Sequence, residues 1–200
     1  MHVMVDCETL SLRTNAVIVS IGAVAFDPMA EDTVESLKYG GRTLHIPLDM
    51  VKQARIGRHI DPGTVLWWLE QSEEARRSLI DIQGDPYKKL DLKVATVNLA
   101  RFIEHYGGGD VKVWANGAAD DISWIRSLAD DIGVSRKHLF GHRCPRDTRT
   151  LFDMAGLYDA SGNLPDVEGL TKHDALSDAI YQALMVQRAY KRITRFLMEK

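Results

Sequence analysis

HVMVDCET, residues 2–9, alternates as a β-strand does: Met4, Asp6 and Glu8 share one face while Val3, Val5 and Cys7 share the other. Residues two apart on a strand have Cα atoms roughly 6.5 to 7 Å apart, so the two carboxylates can converge on one cation. Carboxylates at the end of an apolar run are tolerated when they are paired or metal-bound, which gives the pair a purpose. Asp166 and Glu168 repeat the D-x-E spacing inside PDVEG, a loop. The apolar strand before Asp6, and not the spacing alone, separates the first pair from the second.

Outward from this strand, AVIVSIGAVAF (16–26) is a near-continuous β-branched run, the pattern of a central strand covered on both faces. RTLHIPLD (42–49) is a third strand candidate. Asp61 and Pro62 occupy the N-cap and first position of a helix running through TVLWWLEQSEEARRSLI (64–80). A second helix spans 91–106, with Leu92, Ala95, Leu99, Phe102, Ile103 and Tyr106 on one stripe, and is ended by the glycines at 107–109. VKVWANG (111–117) is a further buried strand. Helices are expected over 120–133, 148–158 and 174–196. Early strands followed by alternating helices and a strand predict an α/β fold, a mixed β-sheet flanked by helices, forming a single domain over 1–200.

Composition narrows the function. The 200 residues are 45% hydrophobic and 26% charged, enough for a full core. No apolar run approaches the roughly 18 residues of a membrane span, so no membrane partner is expected. No basic-then-apolar leader begins the chain, and Cys7 and Cys144 make neither a disulfide framework nor a CxxC zinc signature, so a reducing, cytoplasmic location is expected. A formal charge of −3 argues against a protein that holds nucleic acid by bulk positive potential. Two bound divalent cations would bring that balance to about +1, so the sign of the partner is set locally.

Two more stretches carry acids. In TKHDALSDAIYQAL (171–184), Asp174 sits at an N-cap, which places Asp178 one turn into the helix and His173 just before it. In VWANGAADDISWI (113–125), helical spacing puts Asp121 on the stripe of Ile125, Leu128 and Ile132, with Asp120 off it. Either acid can alternatively be read as a simple helix-start charge.

The order D-x-E, then an Asp after W-x-N-G, then H-x-x-x-x-D opening a last helix, resembles the DEDDh exonucleases. That superfamily has an RNase H-like fold and includes the proofreading subunit of bacterial DNA polymerase. DCETLSLRTNAVIVSIGAVAFDP, IDPGTVLWWLEQSEEAR, VWANGAADDISWI and HDALSDAIYQA are most similar to its phage-type exonuclease A members and a related mycobacterial exoribonuclease group. Where the family has an aromatic before its third acid, this chain has Asp120, so Asp120 stays open beside Asp121.

The resemblance implies a two-metal-ion 3′→5′ exonuclease that releases nucleoside 5′-monophosphates from single-stranded nucleic acid with a free 3′ end. DNA is slightly favoured over RNA, and a homodimer is compatible with the family. Asp6, Glu8 and Asp178 would hold one Mg²⁺ or Mn²⁺, Asp6 would bridge to a second, Asp121 would contribute directly or through water, and His173 would take the proton of the attacking water. A module of the same fold that binds nucleic acid without cutting it is the alternative. Thr9, Leu10, Trp68, Asn116 and Arg146 are the candidate substrate contacts. Arg146 lies in the densest basic stretch, 136–149. Trp67 and Trp68, about 100° apart on a helix, cannot both serve one face, so one belongs to the core.

Overall fold

The computed structural model describes residues 1–84, 89–108 and 111–199, without the side chains of 78 and 81–84. The strand that opens the chain, β1 (His2–Thr9), lies in the middle of a five-stranded sheet. β2 (Ile18–Phe26) pairs with it antiparallel, and β3 (Thr43–Pro47) pairs antiparallel with β2. On the other side, β4 (Val113–Ala115) runs parallel to β1, and β5 (Pro145–Asp147) runs parallel to β4. The spatial order is β3-β2-β1-β4-β5, with one antiparallel and one parallel half, the mixed sheet that the resemblance to RNase H-like exonucleases implies.

Every residue of β2 is buried, as its unbroken apolar run requires. One face of the sheet packs Val3, Val5 and Cys7 against α5 (Leu92–Gly107) and α6 (Ala118–Asp131), through Leu99, Ile103, Ile125 and Leu128. The other face packs Met4, Val24 and Phe26 against α7 (Thr148–Met154) and the long α8 (Ala175–Met198), through Phe152, Ile180 and Met185.

Gly22 sets how close α8 comes. A Cβ on Gly22 would lie 2.1 Å from the carbonyl oxygen of Ala175, so only glycine lets the first turn of α8 rest on β2. Gly22 is also the register partner of Asp6, and Ser20 that of Glu8. The start of α8 therefore lands beside the two acids of β1.

The expected helix over 62–80 is two helices, α3 (Pro62–Glu70) and α4 (Glu73–Gly84). Gln71 turns to extended backbone at ψ 170°, and the Ser72 hydroxyl accepts from the Ala75 N–H at 3.2 Å. A capping serine with two glutamates behind it started a second helix inside an apparently continuous pattern. Asp61 does cap α3, accepting from the Thr64 N–H at 3.0 Å. α5 ends with Gly108 at φ 58°; of the three glycines expected to stop it, Gly109 lies outside the described residues. The short α1 (Val34–Tyr39), α2 (Met50–Arg55) and β5 were not anticipated. No described helix is long and apolar enough to cross a membrane.

Candidate active site

Three chain segments bring acids to the C-terminal end of β1. Asp6 and Glu8 project from its α8-facing side. At the start of α8, the Asp174 carboxylate accepts from the Ser177 N–H at 2.9 Å and caps the helix, leaving Asp178 inside its first turn. His173 just before the cap adopts φ 62°, a left-handed conformation that non-glycine residues seldom take. That turn aims its backbone N–H at Asp178 Oδ2, at 3.0 Å. As a result Glu8, His173 and Asp178 each offer a ligand atom within 4.8 Å of one another.

Asp121 arrives from the opposite side. β4 pairs with β1 at Val3 and Met4, then leaves the sheet at Asn116 and Gly117. Gly117, at φ 101°, turns the chain into α6. Asp121 then accepts the Cys7 backbone N–H at 2.9 Å, in the region β4 has vacated. Asp121 is only 4% exposed while Asp120 faces solvent, so the inward acid is Asp121.

Burial dominates the charges. It pushes Glu8 up to about 8, helped by the negative charges of Asp178, Asp174 and Asp121. It raises Asp121 to about 7 against the Cys7 N–H, which favours the anion. Asp178 rises to about 6 for the same reason, opposed by the His173 N–H. Asp6 is held well above the carboxylate range by burial and by the three neighbouring acids. Four carboxylates that repel one another in a desolvated pocket form a site short of positive charge. Their donor set is oxygen-rich, which suits a hard divalent cation such as Mg²⁺ or Mn²⁺. Glu8, Asp178 and His173 form the tightest group; Asp6 and Asp121 line the same cleft outside it.

The cleft encloses about 1290 Å³, above the 300–1,000 Å³ usual for small-molecule pockets. Asn116 lines it, with its side-chain oxygen accepting from the Thr148 hydroxyl at 2.9 Å. The structure places the other expected substrate contacts, Thr9, Leu10, Trp68 and Arg146, outside the lining of this cleft. Leu10 and Trp68 are buried in a small cluster with Val17, Val19 and Ala75. The Trp68 indole N–H donates to the Thr9 carbonyl at 3.0 Å, and the Thr9 hydroxyl to the Ser11 carbonyl at 3.0 Å, so Thr9 is also committed internally. It is Trp67, 43% exposed, that lines the cleft, with its ring edge-on to His173 at 4.9 Å between centroids. Arg146 folds back on the carbonyls of Arg143 and Pro145, both at 2.8 Å, and Arg149 takes the cleft position instead.

Sequence reasoning also missed Gln182. Its amide donates to Asp6 Oδ1 at 2.7 Å, while its own oxygen is buried without a partner among the described residues. A signal was present: Gln182 is four residues after Asp178, one turn along the same face.

The Rv2179c-like 3′-5′ exoribonuclease domain family matches residues 1–190. This chain belongs to that family. It is accordingly a 3′→5′ exonuclease of the DEDDh type, a hydrolase whose substrate is nucleic acid. The exodeoxyribonuclease of enterobacteria phage T4 is 24% identical over 209 aligned residues, covering 94% of this chain and 88% of the phage protein. Among solved structures, the RNase domain of the yeast Pop2 protein aligns with a TM-score of 0.48 and 12% identity, covering 100% of this chain and 78% of that one.

Proposed function

We propose that the family member described here removes nucleoside 5′-monophosphates from the free 3′ end of single-stranded nucleic acid by a two-metal-ion reaction. The observation that carries this reading is the gathering of Asp6, Glu8, Asp121 and Asp178 in one cleft, with His173 beside Glu8 and Asp178. In it Glu8, Asp6 and Asp178 would hold one Mg²⁺ or Mn²⁺, with Asp6 and Asp121 serving a second. The metals would lower the pKa of the attacking water and stabilise the leaving oxygen.

The chain's own groups supply the rest. Burial, with Lys172 nearby, lowers the His173 pKa, which keeps the imidazole neutral near pH 7 and able to accept a proton from water. The edge of Trp67 and the His173–Asp178 backbone hydrogen bond fix where that ring stands. Gln182 holds one oxygen of Asp6, so the carboxylate presents its other oxygen in a defined direction. The free, buried Cys7 and Cys144 fit the expected cytoplasmic location.

The family description names RNA and the phage relative's name names DNA, so the sugar is the open choice within this reading. Matched 5′-labelled single-stranded DNA and RNA, incubated with Mg²⁺, Mn²⁺ or EDTA, test it. The expected result is a metal-dependent ladder that shortens from the 3′ end, with the faster ladder naming the preferred sugar. No shortening of either strand, with binding retained, would leave a nucleic-acid-binding module of the same fold.

A further inference from the structure

The cleft continues well past the acids. On α8 it is lined by Asp178, Tyr181, Gln182 and then Arg192, 14 residues after Asp178. At 1.5 Å per residue that is about 21 Å. The facing wall is the segment 156–172, fastened to α8 where the Tyr181 hydroxyl donates to the Pro165 carbonyl at 3.1 Å.

Two guanidinium groups border this space. Arg149 lies against the turn at Gly117, where a Cβ would come within 3.1 Å of its head. Arg192 lies near Gly156, 3.8 Å from where a Cβ would be. Both residues are exposed, and neither makes an ion pair or hydrogen bond among the described residues. Arg149 feels the charges of Asp121 and Asp147 without forming a contact pair with either, so its donors stay open to a ligand.

A strand entering this cleft is a polyanion approaching a cluster of acids, and it needs positive charge along its path. Arginine binds phosphate through a planar fork of donors, and these two border one cleft at different places, Arg149 by Gly117 and Arg192 by Gly156. At the 3.4 Å rise of a stacked strand, the roughly 21 Å of helix between Asp178 and Arg192 spans at most about six nucleotides. We propose that Arg149 and Arg192 hold backbone phosphates upstream of the bond being cut, so that the enzyme engages several nucleotides and not the terminal one alone. This rests on the exonuclease reading above and adds a length preference to it.

The test compares kcat/KM for a dinucleotide and an octanucleotide of the preferred sugar, in the wild type, Arg192→Ala and Arg192→Glu. The wild type should prefer the octanucleotide by about tenfold or more. Arg192→Ala should reduce that preference about tenfold, and Arg192→Glu should reduce it further. Octanucleotide binding measured in EDTA across salt concentrations gives a readout independent of turnover. Its log–log slope should flatten by about 0.7 in Arg192→Ala, the value for one lost phosphate contact on a single strand. An unchanged length preference and salt slope in folded Arg192→Glu would overturn the proposal. If the wild type cuts nothing under any metal, the exonuclease reading fails while the salt slope still decides the role of Arg192.

Discussion

The two faces of β1 are built from the same eight residues and have opposite tasks. Val3, Val5 and Cys7 meet Leu99, Ile103, Ile125 and Leu128, an apolar contact that stabilises the fold by burial alone. On the other face Met4 joins the core beside α8, but Asp6 and Glu8 enter a pocket with Asp178 and Asp121, where each acid raises the energy of the others. The first face adds stability, whereas the second spends part of it on holding negative charge in place. Function and folding are separated here by a two-residue period.

Substitutions on the two faces should part company. Asp178→Ala is expected to lower hydrolysis by about 10²- to 10³-fold, the scale seen when a group acting at the reacting atoms is removed, with the melting temperature kept or raised. On the other side of the sheet, Leu128→Ala should cost about 2–5 kcal/mol of stability and leave the rate per folded molecule unchanged. Near-normal turnover by folded, metal-replete Asp178→Ala would remove the distinction.

His173→Ala should cost about 10²- to 10⁴-fold in kcat, the range of a general base. A loss below about tenfold, measured where chemistry limits the rate, would point to another proton acceptor.

Gln182→Met sharpens the comparison one step behind the acids. It unpairs one Asp6 oxygen but also removes a buried oxygen with no partner, so the net loss of stability should stay below about 3 kcal/mol. Activity and Mn²⁺ affinity, the latter by calorimetry on the free protein, should fall about 10- to 100-fold, as for groups that orient metal ligands. Normal Mn²⁺ affinity would show that Asp6 needs no such support.

The smallest effect is on pH and stability. Glu8 rises from the model-peptide value of 4.5 to about 8 in the folded, metal-free protein, so between those values the native state binds more protons than the unfolded chain. Stability is then greatest below about 4.5 for this group and declines as pH rises towards about 8. Melting temperatures of the metal-free protein should fall across that window. The slope should be shallower in Glu8→Gln and reversed in part by Mg²⁺. A flat profile would mean the acids are less desolvated than their burial indicates.

Much of this site was legible before any coordinates. The strand period placed Asp6 and Glu8 on one face, and the Asp174 cap placed Asp178 a turn inside α8; the helical stripe pointed to Asp121 but left Asp120 open, and burial turned Asp121 inward. The substrate contacts were less so. Adjacent tryptophans on α3 look alike in sequence, and only packing against Leu10 and Val17 sent Trp68 inward and left Trp67 beside His173. The basic stretch pointed to Arg146, but three-residue β5 turned that side chain onto its own carbonyls and gave the cleft to Arg149.

By itself the sequence determined the strand and helix identities near the acids, the capping of α3, α5 and α8, and which face of β1 carries charge. These follow from periodicity and from hydrogen bonds between residues a few positions apart, so a short window contains the whole cause. Only the tertiary structure decided that Gly22 admits the first turn of α8, that Asp121 takes the Cys7 N–H, that Gln182 holds Asp6, and that Arg149 and Arg192 border one channel. Each of those joins residues separated by tens to more than a hundred positions, and such contacts arise when packed layers choose a distance and register that no local pattern encodes.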